Sequence, residues 1–172
     1  VKEMVINLIF AILYIVATYK WGDWRNWQRY YPTILFYGFG DILAFSLFYQ
    51  QPLWLYFTPG LPHLFHELFV IITMYSCGVI LYLSNYPKAL VTQCLYILFW
   101  ASLYTFLEWF AIGIGNFVHL NGWSLAWSFL LYMIMFPTFQ LHQKRPLLAL
   151  CILFGGLALL LYLFRIPVEL VK

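Results

Sequence analysis

The feature that most constrains this chain is a succession of apolar runs with almost nothing polar long enough between them to form a separate folded unit. The runs fall at about residues 4–19, 32–49, 62–83, 90–112, 123–141 and 147–164, and Pro, Gly and Asn cluster in the gaps. An α-helix rising about 1.5 Å per residue needs roughly 20 apolar residues to cross a hydrocarbon layer about 30 Å thick. The pattern therefore predicts an all-α, polytopic transmembrane helical bundle of six spans, a single domain over 1–172. Charged residues make up only 9% of the chain, against about a quarter in soluble domains, and hydrophobic residues make up 65%. Six spans leave no length for a soluble catalytic domain, so any activity belongs in or at the bilayer. Nothing in the chain resembles a nucleic-acid-binding signature.

The stretch Trp21 to Asp41, WGDWRNWQRYYPTILFYGFGD, reads as a membrane boundary. Trp21, Trp24 and Trp27 interleave with Arg25 and Arg29, which suits a headgroup layer: indoles settle at the interface and guanidinium groups reach lipid phosphate. Pro32 opens the next helix, and Asp41 lies about 13 Å further along, near the bilayer midplane. Lys20, Arg25, Arg29, Lys88, Lys144 and Arg145 fall in connections one, three and five, and connections two and four carry no cation. The positive-inside rule then places the odd connections in the cytoplasm and both termini outside a cytoplasmic (plasma) membrane. The first run ends in Ala17-Thr18-Tyr19-Lys20-Trp21, without a small-x-small cleavage pattern, and is read as a span. Cys77, Cys94 and Cys151 are odd in number and lack metal spacing, so they are read as buried thiols.

Carboxylates inside spans are costly and point to function or to a satisfied partner. Asp41, Glu67 and Glu108 qualify. Helical spacing places Ser102, Thr105 and Glu108 on one stripe, and Asn121, Ser124, Ser128 and Tyr132 on another. Together they predict a polar pocket of Asp41, Glu67, Glu108, Asn121, Ser124 and Ser128, richest toward the outer leaflet. His63, His66 and Glu67 at i, i+3 and i+4, completed by Glu108 or His119, form a candidate set for a divalent metal, although the pattern is short of a full zinc signature. Proton or ion handling along Glu67, Glu108 and Asp41 is the other chemical reading. The bland alternative for Asp41 is a protonated side chain bonded to Thr73, Ser76, Ser102 or Tyr132. Gly38, Gly40 and Ala44, and separately Gly155-Gly156, suit close helix approach. No nucleophile elbow, phosphate loop or catalytic triad spacing is present.

The words WGDWRNWQRYYPTILFYGFGD, LSNYPK at 83–88, YTFLEW at 104–109, HLNGWSLAWS at 119–128 and LHQKRPLLAL at 141–150 resemble, in matching order, a family of small uncharacterised multi-spanning membrane proteins of Bacillus and related spore-forming Firmicutes. That resemblance implies membrane location and a compact helical bundle, and it carries over no catalytic residue. The expected function is a non-catalytic accessory, sensory or envelope-associated bundle with an outward-facing polar pocket, in contact with lipid and with other membrane proteins or a second copy. The alternatives are a small metal-dependent membrane hydrolase and a proton-coupled carrier or channel component.

Overall fold

The computed structural model describes residues 2–56 and 63–166, and the chain is almost entirely helical over them. Helix α1 (Lys2–Trp21) is followed by a short 3-10 helix, Trp24–Arg29, and by α2 (Tyr31–Leu47). Strand β1 (Trp54–Tyr56) precedes a helical rod made of α3 (His63–Val70), a π-helical turn at Ile71–Tyr75, and α4 (Ser76–Ser84). Then come α5 (Leu90–Gly113), β2 (Phe117–His119), α6 (Leu125–Lys144) and α7 (Pro146–Leu163). Pro32 and Pro146 stand in the first turns of α2 and α7, where a missing N–H costs nothing.

Helices α5, α6 and α7 are each long and apolar enough to cross a membrane; the stretches Val5–Trp21 within α1, Tyr31–Leu47 and Leu68–Ser84 are shorter apolar helices. Only 11% of the apolar window of α5 is buried inside the protein. Leu95, Phe99, Phe106, Trp109, Ile134 and Tyr162 point outward with them. An outer surface so rich in large apolar groups suits a lipid environment rather than water.

The two ends of the bundle differ. At one end the Asn85 amide donates to the Trp21 carbonyl at 2.9 Å, and the Gln143 amide donates to the Arg29 carbonyl at 3.1 Å. These bonds gather connections one, three and five, and with them most of the lysines and arginines. Trp21, Trp24 and Trp27 are exposed here, with Lys20 4.8 Å from the Trp21 ring and Arg25 5.6 Å from that of Trp24. At the other end β1 and β2 form an antiparallel pair with Trp54 opposite His119, Leu55 opposite Val118 and Tyr56 opposite Phe117. Asn121 and Gly122 both have positive φ, 49° and 85°, so the chain reverses tightly and Trp123 N–H reaches the Leu120 carbonyl at 2.9 Å.

The interior is in two parts. Near the cation-rich end Tyr82, completely buried, is packed among Tyr86, Tyr96, Trp100, Phe136 and Phe139. At the strand end Phe48, Leu53, Trp123, Leu157 and Ile166 form a second cluster.

Four local expectations change. Helix α6 runs through Pro137 and on to Lys144, three residues past the expected end of that run at 141, and the adjacent Thr138 hydroxyl bonds the Ile134 carbonyl at 2.7 Å. Cys94 and Cys151 are exposed and Cys77 half-buried, because an apolar thiol is as comfortable against lipid as in a core. A Cβ on Gly38 would lie 2.9 Å from Ile71 and one on Gly40 3.0 Å from Leu153, so these glycines do sit at close approaches, whereas Gly155 and Gly156 have nothing within 4 Å among the described residues. Ser102 is exposed: six residues of α-helix turn it about 120° away from Glu108. The buried face of α5 instead includes Trp100, Ala101 and Glu108, and seven residues close almost two full turns between the last two.

Candidate functional site

Glu108 sits on the face of α5 that packs along α6, 7% exposed. Its Oε1 accepts the Ser128 hydroxyl at 2.5 Å and meets His119 Nε2 at 2.6 Å; its Oε2 accepts the Tyr132 hydroxyl at 2.5 Å. Ser128 and Tyr132 are one helical turn apart on α6, so a single face of that helix delivers both donors. Ser128, only 2% exposed, also accepts from the indole N–H of Trp123 at 2.8 Å. Short bonds of this kind are expected when the acceptor is a carboxylate. The imidazole comes from β2, and the strand pairing with β1 fixes its height above the helices.

Asp41 approaches the same space from α2. Tyr75 donates to its Oδ1 at 3.3 Å, and the Tyr37 ring stacks on Tyr75 with centroids 4.3 Å apart. Tyr75 closes the π-helical turn, a local widening often found at functional sites. The Ser76 hydroxyl takes up the Ile71 carbonyl five residues back, at 2.9 Å.

Between these two carboxylates lies a cavity of about 170 Å³, walled by α1, α2, the π turn, α5, α6 and both strands. Asp41, Glu108, Ser128 and Asn116 line it together with an aromatic wall that includes Tyr37, Tyr104 and Tyr132. Among the described residues that line it there is no lysine or arginine. Asn116, 5% exposed, donates weakly to Asn7 Oδ1 at 3.4 Å, and its own carbonyl oxygen is buried with no hydrogen-bond partner among the described residues.

The structure thus brings Asp41, Glu108 and Ser128 to one cavity and sets His119 directly on Glu108. Ser124 only precedes α6, giving its carbonyl to the Ser128 N–H at 3.1 Å, and it does not line the cavity. Asn121 is exposed in the turn after β2, where its amide donates to the Pro52 carbonyl at 2.8 Å; the stripe that joined it to Ser128 assumed a helix that begins only at Leu125. The side chains of His63, His66 and Glu67 lie outside the described residues, though their backbone belongs to α3. Among the described residues no three His, Cys, Asp or Glu side chains assemble into a metal-binding group; Glu108 and His119 meet as a pair. Asp41 bonds none of its expected partners. Thr73 turns back to the Phe69 carbonyl at 2.6 Å, Ser76 to Ile71, Ser102 faces outward, and Tyr132 serves Glu108.

Trp123, Tyr75 and Asn116 were not singled out from the sequence. The alternation of tyrosine with apolar residues in the spans was the available signal, but a tyrosine in a membrane helix serves packing and interface equally well. No protein-family model, curated protein or solved structure matches the chain.

Proposed function

We propose that this chain is a non-catalytic bundle of the cytoplasmic membrane, six spans with both termini outside, that binds a small ligand in an outward-facing cavity and acts as a sensory, accessory or envelope-associated protein. The observation that carries the reading is the asymmetry of the interior. The cavity and both carboxylates adjoin the strand end, while aromatic rings packed around Tyr82 occupy the half toward the cations. Gathering of the cation-bearing connections at one end supports the orientation, since positive residues favour the cytoplasmic side. Hydrolysis is the weaker reading because Ser128 donates to Glu108 and His119 meets the same oxygen, so the cavity presents a carboxylate held by donors rather than a hydroxyl held by a base. A proton-coupled carrier is the second reading, favoured by the sharing of one cavity by Asp41 and Glu108.

Cysteine accessibility tests these readings, in a background with Cys77, Cys94 and Cys151 replaced by serine. Asn116→Cys is expected to react with a membrane-impermeant maleimide added outside intact cells, and Lys88→Cys only after permeabilisation. The reverse pattern overturns the orientation. Labelling of Asn116→Cys from both sides replaces the binding bundle with a carrier.

A further inference from the structure

We propose that the ligand is a single-chain amphiphile taken from the bilayer leaflet at the strand end, with its alkyl chain in an apolar groove between α2 and α7 and its polar end in the cavity beside Glu108. This rests on the reading of that cavity as a ligand site, and it adds the chemical class of the ligand. Helices α2 and α7 both pack on α6, and a groove of about 230 Å³ lies among the three. Phe36, Leu153, Gly156 and Leu160 line its walls, and Leu130, Ile134, Leu159 and Leu163 also line it while remaining exposed. The groove is therefore open to lipid along its rim. Gly156 has nothing within 4 Å among the described residues, so a larger side chain there would occupy space that the fold leaves empty.

Tyr37, Asp41, Trp54, Trp123, Leu131 and Met135 line both the groove and the polar cavity, so a single layer of side chains is all that lies between the two. The rotation of α6 places them so. At about 100° per residue, Ser128 and Tyr132 project about 160° away from Leu130 and Ile134, and Leu131 and Met135 fall between the two pairs. Length and volume fit one chain. The α6 residues of the groove run from Trp127 to Phe139, about 18 Å along the axis, close to one leaflet of a hydrocarbon layer about 30 Å thick. A cavity of about 150 Å³ holds benzene, so about 230 Å³ encloses roughly nine carbon atoms of a chain whose remainder runs along the open rim. Bilayer hydrocarbon is as apolar as the groove, so retention depends on packing and on the polar end. That end is costly to leave among hydrocarbon, and the adjoining cavity offers it the polar lining of Glu108, Ser128 and Tyr132.

The test is photolabelling of the purified full chain in phosphatidylcholine nanodiscs with hexadecanol carrying a mid-chain diazirine, the labelled residues being located by mass spectrometry. Labelling is expected on the groove residues of α6 and α7 and is abolished by excess plain hexadecanol. It should fall at least about fivefold in Gly156→Leu and stay unchanged in Gly155→Leu, because Gly155 also faces open space but does not line the groove. Should Gly156→Leu not fold, Ile134→Trp on the opposite lip takes its place. Ala111→Cys, which lines the polar cavity about one turn beyond Glu108, reports on the polar end in a background with Cys77, Cys94 and Cys151 replaced by serine. Hexadecanol should slow its reaction with maleimide at least about fivefold. Equal labelling of the two glycine variants, or labelling that excess hexadecanol does not abolish, overturns the amphiphile and leaves the cavity as a site for a water-borne ligand. Groove labelling without protection of Ala111→Cys overturns the placement of the polar end, again leaving the ligand site standing. An Ala111→Cys that maleimide does not reach even without hexadecanol overturns both.

Discussion

Removing the Ser128 hydroxyl should cost about twice as much stability as removing that of Tyr132, because the two side chains make different numbers of bonds to the same cluster. Ser128→Ala deletes the donor to Glu108 Oε1 and the acceptor of the Trp123 indole N–H, and it does so at a site only 2% exposed. Tyr132→Phe deletes one donor to Oε2 and leaves the ring in place. In water-soluble cores each hydrogen bond to a charged group is worth about 1.5–3 kcal/mol. Side-chain bonds between membrane helices measure less, roughly 0.6 kcal/mol on average and 1.7 at most, since the unfolded chain in the membrane also finds partners. The lower scale governs here. Two bonds at that average give about 1.2 kcal/mol for Ser128→Ala, roughly an eightfold change in the folding equilibrium, and one bond gives about 0.6 kcal/mol for Tyr132→Phe. The double variant should fall short of the sum, because both donors serve one carboxylate. Unfolding in mixed detergent micelles, followed by tryptophan fluorescence, measures all three. A loss for Ser128→Ala no larger than that for Tyr132→Phe would refute the bonding scheme around Glu108.

Three further outcomes follow from packing. A Cβ at Gly78 would run into the Tyr104 hydroxyl, so Gly78→Ala should cost about 1–3 kcal/mol, while Gly155→Ala, with open space around it, should change stability by less than about 0.5 kcal/mol; comparable losses at the two sites would contradict the helix arrangement. Tyr82→Ala, which empties the centre of the aromatic cluster, should cost about 3–5 kcal/mol in the same assay, and a loss under 1 kcal/mol would show that half of the interior to be loosely packed. Thr33→Val removes the 3.0 Å contact with His142 and the acceptor for Gln143 at a fully buried position, and a loss of about 1 kcal/mol is expected in the same assay; no measurable loss would contradict that bonding.

Helical segments were legible because their signal is local. The run expected at 90–112 is helical over Leu90–Gly113, and the one at 147–164 over Pro146–Leu163, with proline marking the start of the latter. Asn121 and Gly122 fall in the gap before the run at 123–141, and both adopt the positive φ that their residue types favour, although the helical stripe drawn through Asn121 ignored it. The strands were not legible. Three residues each, they exist only because connections two and four lie side by side, and neither segment has a strand pattern long enough to announce itself. The π turn was equally silent: it lies within an apolar run whose composition suits an ordinary α-helix.

Glu108 stands out from the sequence alone, because a carboxylate in an apolar helix demands explanation wherever it falls. Its partners do not. Stripes drawn at steps of three and four put Ser102 beside it, but a real helix turns 3.6 residues per cycle, and the accumulated rotation moved Ser102 to the outer surface and kept Ala101 inside. Ser128 and Tyr132, 20 and 24 residues further on, reach Glu108 through the packing of α5 on α6. Likewise Asp41 was visible as a buried acid, and Tyr75, 34 residues away, became its partner through the widened turn that redirects the phenol. Composition and periodicity determine what medium surrounds each residue and which segments coil, since both depend on neighbours along the chain. Which acid meets which donor, and that two acids on different helices share one cavity, depends on helix rotation and separation, and only the packed bundle decides those.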